Sequence, residues 1–256
     1  MKLGDFTELA KNYRYRNSYS LIVLKALSNF VCRIPGDVIV ADIGAGTGKL
    51  TENLIELGLT GVAIEPNAAM RAEGINLLNG KGFKWLVGSA EATGLPDSSV
   101  DWILMGSSFH WTDQQVALRE FYRVLKPSGY FTAIWNPRDI EHSEIEQKVE
   151  QIIHRLAPNI KRVSSGAMKY TSHLEALLIS SGLFSDVIYI EAPHEALMKK
   201  EDYIGAWRSV NDIQSQAGTE IFEAIIKEIS MILSEQDYVR APYRSRSWTV
   251  RSTKPV

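Results

Sequence analysis

The residues best suited to chemistry lie in a segment that begins as an apolar strand and ends in a glycine-rich turn. The segment VIVADIGAGTGKL spans residues 38–50 and places Asp42 shortly before Gly44, Gly46 and Gly48. Glycine has no Cβ and adopts positive φ without strain, so a ligand can lie against the main chain of such a turn. A strand that runs through this kind of turn into a helix favours binding of a small cofactor. The alternative is a tight connection without a ligand.

Residues next to the turn exclude two phosphate-binding motifs. A dinucleotide-binding motif G-x-G-x-x-G starting at Gly44 requires glycine at position 49, which is Lys49. A P-loop ending at Gly48 and Lys49 requires glycine at position 43 and serine or threonine at position 50. The chain has Ile43 and Leu50 there. Both motifs therefore fail at residues that their mechanisms require.

A second acidic residue, Glu65, ends the next apolar run, GVAIEP at residues 61–66. A carboxylate in this place can accept two hydrogen bonds from a ribose diol. Enzymes that use NAD employ the same device, and a solvated acid at a strand end is the other interpretation. The following helix is predicted to begin near Asn67 as its N-cap. Met70 in its first turn is either a core residue or a contact to the ligand.

The order of these motifs resembles that of class I S-adenosylmethionine-dependent methyltransferases, over roughly residues 36–136. The spacing G-x-G-x-G after an acidic strand end is similar to the first motif of this family. Ser89-Ala90-Glu91 follows the third predicted strand, where the family places an adenine-binding acid or amide. Residues 109–111 read Phe-His-Trp and resemble a signature of the subgroup that includes trans-aconitate methyltransferase. The segment LKPSG then predicts a helix stop and a turn into a fifth strand.

The resemblance implies S-adenosylmethionine as the cofactor, and it implies a set of residues that bind it. These are Arg16, Asp42, Gly44, Ala45, Gly46, Gly48, Glu65, Pro66, Met70, Ser89, Ala90, Glu91, Ser107 and Phe109. Arg16 belongs to Tyr15-Arg16-x-x-Tyr19, which is similar to a Y-R-P-x-Y segment of the subgroup with Asn17 in place of proline. A guanidinium suits the carboxylate of the methionine moiety. The start of an amphipathic helix is the other interpretation of this segment.

His110 is the candidate catalytic residue, because it follows the fourth predicted strand at the edge where open α/β sheets bind ligands. A hydroxyl or ammonium acceptor must lose a proton before it can be methylated, whereas a carboxylate needs no base. The alternative is that His110 orients the loop or lines the pocket. The residues expected near the methyl acceptor are Tyr19, His110, Trp111 and Trp135. An acidic acceptor would pair with Arg138 or Arg208.

The elements that must position these residues alternate between strand and helix through the centre of the chain. Together with the resemblance, this predicts an α/β fold: a Rossmann-like, seven-stranded, mostly parallel sheet with helices on both faces and a helical cap. One domain is expected over residues 1–256, with its cofactor-binding core at about 36–136. The cap is expected from about 1–34, 138–172 and 199–240.

Composition restricts the classes of partner. The formal net charge of −2 provides no basic surface for nucleic acid, so no nucleic acid partner is expected. A basic cluster near the C-terminus is interpreted as a solvated edge strand; it contains Arg240, Arg244, Arg246 and Arg251. The single cysteine, Cys32, argues against a disulfide framework and a cysteine-based metal site, and no metal is expected.

The N-terminal region has no secretory signal pattern, and its apolar stretch SLIVLKALSNFVC is interrupted by Lys25 and too short to span a bilayer. A cytoplasmic monomer or homodimer without a membrane partner is therefore expected. The favoured function is S-adenosylmethionine-dependent methylation of a small molecule at a carboxylate or hydroxyl oxygen. The alternatives are a non-catalytic S-adenosylmethionine-binding regulatory protein, an NAD-dependent oxidoreductase, and a methyltransferase acting on protein or nucleic acid. Lys49 disfavours the oxidoreductase.

Overall fold

A computed structural model describes residues 6–31, 38–162 and 171–255. Within them lie the strands β1 (Ile39–Ile43), β2 (Thr60–Ile64), β3 (Phe83–Leu86), β4 (Val100–Gly106), β5 (Leu125–Trp135), β6 (Phe184–Lys199) and β7 (Tyr238–Ser252). They form one sheet in the order β3-β2-β1-β4-β5-β7-β6. β1 to β5 pair in parallel, while β7 is antiparallel to both β5 and β6. The predicted seven-stranded, mostly parallel sheet is confirmed.

The α-helices of the described residues lie between and beyond these strands. They are α1 (Ala10–Tyr13), α2 (Leu21–Val31), α3 (Lys49–Glu56), α4 (Ala68–Leu78), α5 (Gln114–Val124), α6 (Glu144–Leu156), α7 (Leu174–Ile179), α8 (Lys200–Arg208) and α9 (Asn211–Ile232). Among them, no helix is long and apolar enough to cross a membrane. Cys32 and the predicted start of the core at residue 36 lie outside the described residues.

Local sequence explains where the helices next to the sheet begin. Asn67 caps α4 as predicted, because its side-chain oxygen accepts hydrogen bonds from the backbone N–H groups of Ala69 and Met70 at 3.0 and 3.1 Å. Asp113 caps α5 in the same way through the N–H of Val116. These caps set the starting points of the helices that follow β2 and β4.

The predicted turn at LKPSG lies inside strand β5 rather than before it. Leu125 pairs with Val100, and the next pair joins Tyr130 to Trp102, so the intervening residues bulge out of the ladder. Ser128 in this bulge has a φ of 60°. β5 is therefore longer than the apolar run alone predicts, and its carboxyl end reaches Trp135.

The sheet carries a separate apolar core on each face. One face packs against α5 and α7 through residues such as Phe121, Phe131 and Leu178. The other face packs against α2 and α3 through residues such as Leu24 and Leu54. Both faces are covered, as expected for strands that are mostly apolar on both sides.

A third core lies away from the sheet, among α6, α8 and α9. It includes Ile153, Trp207 and Phe222, and it also includes Val239 from the start of β7. The pairing of β6 with β7 runs from Phe184 opposite Ser252 to Lys199 opposite Tyr238, far beyond the part of β7 that pairs with β5. This two-stranded extension joins the helices of the third core to the sheet.

The interpretation of the C-terminal arginines as a solvated edge strand is wrong. β7 is an inner strand, because β6 covers its free side. Arg240 pairs with Glu195, and Arg244 pairs with both Asp139 and Glu191. Acidic residues of β6 and of the loop after β5 therefore neutralise this basic cluster.

The separate third core predicts that the helices α6, α8 and α9 open more easily than the sheet. Phe222→Ala should destabilise this region by about 3–5 kcal/mol, because it removes a buried aromatic ring. Hydrogen exchange should then rise more in these three helices than in β1 and β4.

Phe131→Ala is the matched control, because Phe131 is equally buried but lies in the core on the sheet. It should raise exchange in the sheet. An equal rise in α9 and β1 after Phe222→Ala would contradict the expectation.

Candidate active site

A cavity of about 610 Å³ lies at the carboxyl ends of the parallel strands. The ends of β1, β2 and β4 contribute one part of its wall, and α6, α8, α9 and the N-terminal segment, residues 6–19, contribute another. This position is the one at which open α/β sheets bind ligands, and the volume suits a small molecule.

The glycine turn after β1 forms a wall of the cavity, and its backbone N–H groups are already engaged. Those of Gly44 and Ala45 donate to the carbonyl of Ile64 at 2.8 and 3.0 Å, and that of Gly46 donates to Glu65 at 2.8 Å. A phosphate-binding loop would instead direct such groups at its ligand. The geometry thus agrees with the exclusion of dinucleotide and P-loop motifs.

Gly44 is required at its position by steric contact and by backbone conformation. Its φ is +68°, and a Cβ there would lie 2.8 Å from the side-chain oxygen of Ser108. At Gly46, with a φ of +59°, a Cβ would lie 3.3 Å from the methyl carbon of Met70. The turn can therefore approach the loop after β4 and the helix α4 only because Gly44 and Gly46 lack side chains.

Glu65 is buried at the end of β2 and connects two neighbouring loops. One carboxylate oxygen accepts the N–H of Gly46, and the other accepts the N–H of Asn67, each at 2.8 Å. Burial raises the pKa of this carboxyl group, and the two backbone hydrogen bonds oppose the shift. Each carboxylate oxygen can accept a further hydrogen bond. Glu65 can therefore bind a diol while it holds the two loops.

Asp42 is fully buried at the end of β1 and lines the cavity. One of its oxygens accepts the hydroxyl of Thr51 at 2.5 Å, while Oδ1 has no hydrogen-bond partner among the described residues. Burial raises the pKa of Asp42 to about 7, and the nearby Glu65 adds to the shift. The hydroxyl of Thr47, also in the wall, is likewise buried without a partner in the described chain. These groups fit a ligand that brings hydrogen-bond donors or positive charge.

The N-terminal segment closes the cavity through Arg16 and Tyr19. The Arg16 guanidinium lies 4.2 Å from the ring centre of Tyr13 and donates to the side-chain and backbone oxygens of Ser209 at 2.8 and 3.0 Å. Tyr19 donates its hydroxyl to Ser107 at 3.1 Å. The segment is therefore tied both to α8 and to the end of β4.

Charged residues from the third core form the far end of the cavity. Arg162 forms ion pairs with Glu150 at 2.6 Å and with Asp212 at 3.2 Å. Arg138 stacks on the indole of Trp207 at 4.0 Å, and its Nε lies 3.5 Å from Glu146. The Nε–H group of Arg138 donates no hydrogen bond within the described residues.

His110 lies in the short 3₁₀ turn Phe109–Trp111 and lines the cavity. The indole N–H of Trp135 donates to His110 Nδ1 at 3.2 Å. Burial lowers the pKa of His110 to about 4, so the imidazole is neutral at physiological pH. Trp111 is partly exposed, and its ring packs edge-on against Phe6 at 5.8 Å.

The structure brings most of the predicted site residues to this one cavity. Those that line it are Arg16, Tyr19, Asp42, Gly44, Ala45, Gly46, Glu65, Pro66, Met70, Ser89, Ala90, Glu91, Ser107, His110 and Trp111. Arg138 lines the cavity as well. Arg208 does not line it and instead forms an ion pair with Glu223 at 2.6 Å.

Three predicted site residues are not part of the lining. Phe109 is fully buried and packs against Phe131, because consecutive residues of a 3₁₀ turn point in different directions. Trp135 lies behind His110 and is 1% exposed. Gly48 is the N-cap of α3, and a Cβ there would meet Leu78 at 2.5 Å, so its role is in helix packing.

Other lining residues were not predicted from the sequence. They are Phe6, Tyr13, Asn17, Thr47, Lys49, Leu50, Asn67, Met105, Gly106, Ser108, Thr112, Pro137, Ile140, Glu150, Arg162, Ala206, Val210, Asn211, Asp212 and Tyr243. Thr47 and Ser108 lie inside recognised motifs and were accessible to sequence reasoning. Glu150, Arg162 and Asp212 come from separate segments and carry no local pattern.

Comparison with known proteins identifies the class of the domain. A family described as a methyltransferase domain matches residues 41–133. An uncharacterized methyltransferase of Mycobacterium tuberculosis is 42% identical over 102 residues, which are 39% of this chain and 40% of that protein. A ubiquinone/menaquinone biosynthesis C-methyltransferase of Xanthomonas campestris is 33% identical over 153 residues, or 55% of this chain and 58% of that protein. The chain spans about two fifths of the length of the first curated relatives that it matches.

Solved structures resemble a larger part of the chain. A putative type II methyltransferase from Anaeromyxobacter dehalogenans has a TM-score of 0.60 at 20% identity, covering 92% of this chain and 96% of that one. A putative methyltransferase from an antibiotic biosynthesis pathway of Anabaena variabilis has a TM-score of 0.59 at 18% identity, with 91% and 98% covered. At these identities the likeness concerns the fold.

The strand order, the glycine turn with its paired acidic residues and the domain match point to one class of protein. Residues 41–133 match a methyltransferase domain, and the curated relatives that resemble this chain are described as methyltransferases. This confirms the resemblance seen in the sequence at the level of the class. The finer resemblance to the trans-aconitate subgroup stays a prediction.

The buried Asp42 predicts a specific dependence of stability on pH. Its carboxyl group has a pKa of about 7 in the folded protein, against an ordinary value of 3.8. The folded state therefore binds more protons than the unfolded state between these values, and stability falls as the pH rises from about 4 to 7. Asp42→Asn should remove this loss and raise the free energy of unfolding at pH 8 by about 4 kcal/mol.

Urea unfolding at several pH values measures this effect. The exposed Asp237 supplies the control, since Asp237→Asn should leave the pH dependence unchanged. If wild type and Asp42→Asn lost stability in parallel over this range, the assignment to Asp42 would be wrong.

Proposed function

We propose that this protein transfers a methyl group from S-adenosylmethionine to an oxygen atom of a small molecule. The observation that carries the proposal is the meeting of Asp42, Glu65 and the glycine turn in one cavity. The donor set fits this cofactor: it offers buried carboxylates and a buried hydroxyl, and the N–H groups of Gly44, Ala45 and Gly46 are engaged within the protein.

S-adenosylmethionine, when bound, supplies a methyl group on a positively charged sulfur. Glu65 would accept hydrogen bonds from the ribose hydroxyls. Asp42 would place negative charge near a cofactor that carries positive charge, and Arg16 would face its carboxylate. Ser89, Ala90 and Glu91 would line the adenine end. In each case the residue binds or orients the cofactor and excludes water from the cavity.

A small acceptor is favoured by the contacts that join separate segments of the chain across the cavity. The N-terminal segment and α8 meet across the cavity through Arg16 and Ser209, which are 193 positions apart in the chain. A protein or nucleic acid acceptor needs an open approach to the methyl group. The overall charge of −2 adds a further argument against nucleic acid.

The acceptor is proposed to carry an acidic group that pairs with Arg138. The guanidinium lies in the wall with one face on Trp207, and its Nε makes no hydrogen bond within the described residues. Burial raises the pKa of the neighbouring Glu146, although Arg138 opposes the shift. Arg138 faces one carboxylate, that of Glu146, at 3.5 Å. By contrast, Arg162 is already held by two carboxylates.

Cofactor binding is tested by calorimetry with S-adenosylmethionine and S-adenosylhomocysteine. Gly46→Ala should weaken binding by at least about tenfold, since the new side chain projects beside Met70 in the cavity wall. Gly58→Ala is the matched control: its φ of +76° creates the same strain, but nothing lies within 4 Å of the new carbon.

Gly58→Ala should therefore bind like wild type while losing about 1 kcal/mol of stability. A well-folded wild-type protein that bound neither compound would overturn the proposed function.

The role of Arg138 is tested with a panel of small acids and matched neutral compounds, measuring release of S-adenosylhomocysteine. Arg138→Met should raise KM for an acidic acceptor about 10- to 100-fold, the value of a charge-assisted hydrogen bond. Calorimetry should show unchanged affinity for S-adenosylmethionine. Arg208→Met, which breaks only a surface ion pair, should stay within about twofold of wild type. Equal effects of the two substitutions would exclude an acceptor contact by Arg138.

A further inference from the structure

Trp135 and His110 form a pair in which one member lines the cavity and the other does not. Trp135 ends β5, is 1% exposed and packs edge-on against Trp248 at 5.6 Å. His110 follows β4 and contributes to the cavity wall. The indole ring is thus held by the core, while the imidazole is positioned at the site.

The hydrogen bond between them determines which imidazole nitrogen carries a proton. An indole N–H can only donate, so His110 Nδ1, at 3.2 Å from it, must be the acceptor. A neutral imidazole that accepts at Nδ1 carries its proton on Nε2. A proton on Nδ1 would point at the indole N–H, so protonation would break the bond. Burial also keeps the ring neutral, since it lowers the pKa of His110 to about 4.

We propose that Trp135 is a positioning residue that holds His110 as its Nε2–H tautomer, so that His110 donates a hydrogen bond and does not act as a base. In this state neither nitrogen can remove a proton from the methyl acceptor. The lone pair of Nδ1 is engaged by Trp135, and Nε2 has no lone pair in the plane of the ring. The catalytic meaning of this inference rests on the proposed function. The tautomer of His110 does not depend on that function.

The tautomer restricts the class of acceptor oxygen. Methyl transfer to a carboxylate forms a C–O bond from an oxygen lone pair and breaks the C–S bond, whose electron pair returns to sulfur. No proton has to be removed. A hydroxyl acceptor would have to lose its proton to another group. His110 as a donor is therefore suited to orienting a carboxylate, which agrees with the cation at Arg138.

The tautomer is tested by nitrogen NMR on protein labelled with ¹⁵N-histidine, in the absence of cofactor and acceptor. The chain has five histidines, and comparison with His110→Gln assigns the signals of His110. Wild type should show a protonated Nε2 and an unprotonated Nδ1 at pH 7. Trp135→Phe should give a mixture of tautomers, because it removes the N–H and keeps an aromatic ring.

Trp111→Phe is the control for this experiment. The ring of Trp111 lies 4.9 Å from that of His110, yet the N–H at Nδ1 comes from Trp135. This substitution should leave the tautomer as in wild type. A protonated Nδ1 in wild type, or an unchanged tautomer in Trp135→Phe, would overturn the proposal. Neither result depends on whether the protein binds S-adenosylmethionine, so failure here differs from failure of the proposed function.

The catalytic consequence is tested with the best acceptor from the panel. His110→Gln keeps an N–H donor, so it should retain at least about a tenth of kcat with an unchanged pH profile. His110→Phe has no hydrogen-bond donor, so its kcat should fall about 10- to 100-fold. A general base contributes about 10²- to 10⁴-fold, and glutamine cannot replace it. If glutamine and phenylalanine were equally inactive, or if the glutamine variant lost a limb of the pH profile, His110 would be the base.

Discussion

The hydrogen bond from the backbone N–H of Gly46 to the carboxylate of Glu65 holds together the two loops on which the site depends, alongside the bonds from Gly44 and Ala45 to the carbonyl of Ile64. It joins the turn after β1 to the end of β2, and the second oxygen of Glu65 holds the start of α4 through Asn67. The arrangement requires that Gly46 have positive φ and that Gly44 lack a side chain. The same carboxylate can accept further hydrogen bonds, so under the proposed function one group would both hold the loop and bind the ligand.

Buried charge is concentrated at the two ends of the cavity. Asp42 lies at the sheet end with an unpartnered oxygen and a pKa raised by burial. Arg138 lies at the other end, stacked on Trp207 and only loosely paired with Glu146. Such groups destabilise the folded protein unless a ligand compensates them. They are therefore the places where binding energy can be gained, by a cationic cofactor and by an acidic acceptor.

The long extension of β6 and β7 connects the cofactor half to the helices above it. Tyr243 on β7 lines the cavity, and Val239 on the same strand lies in the third core. Asn136, after β5, accepts a hydrogen bond from Ser245 and donates one to the backbone of Ser18. The sheet, the N-terminal segment and α6, α8 and α9 thus share contacts around one cavity, although their cores are separate.

The sequence alone predicted the seven-stranded, mostly parallel sheet, the glycine turn and the residues at the cofactor end of the cavity. Asp42, the glycines and Glu65 were predictable because each follows a strand directly, and parallel strands bring such ends to one edge of a sheet. Phe109 and Trp135 were misplaced because a motif names residues and does not say which way their side chains point. Tertiary structure decided three further contacts. They are the stacking of Arg138 on Trp207, the ion pairs of Arg162 with Glu150 and Asp212, and the hydrogen bond from Trp135 to His110. These contacts join residues far apart in the chain, and their geometry follows from the packing of three cores rather than from any local pattern.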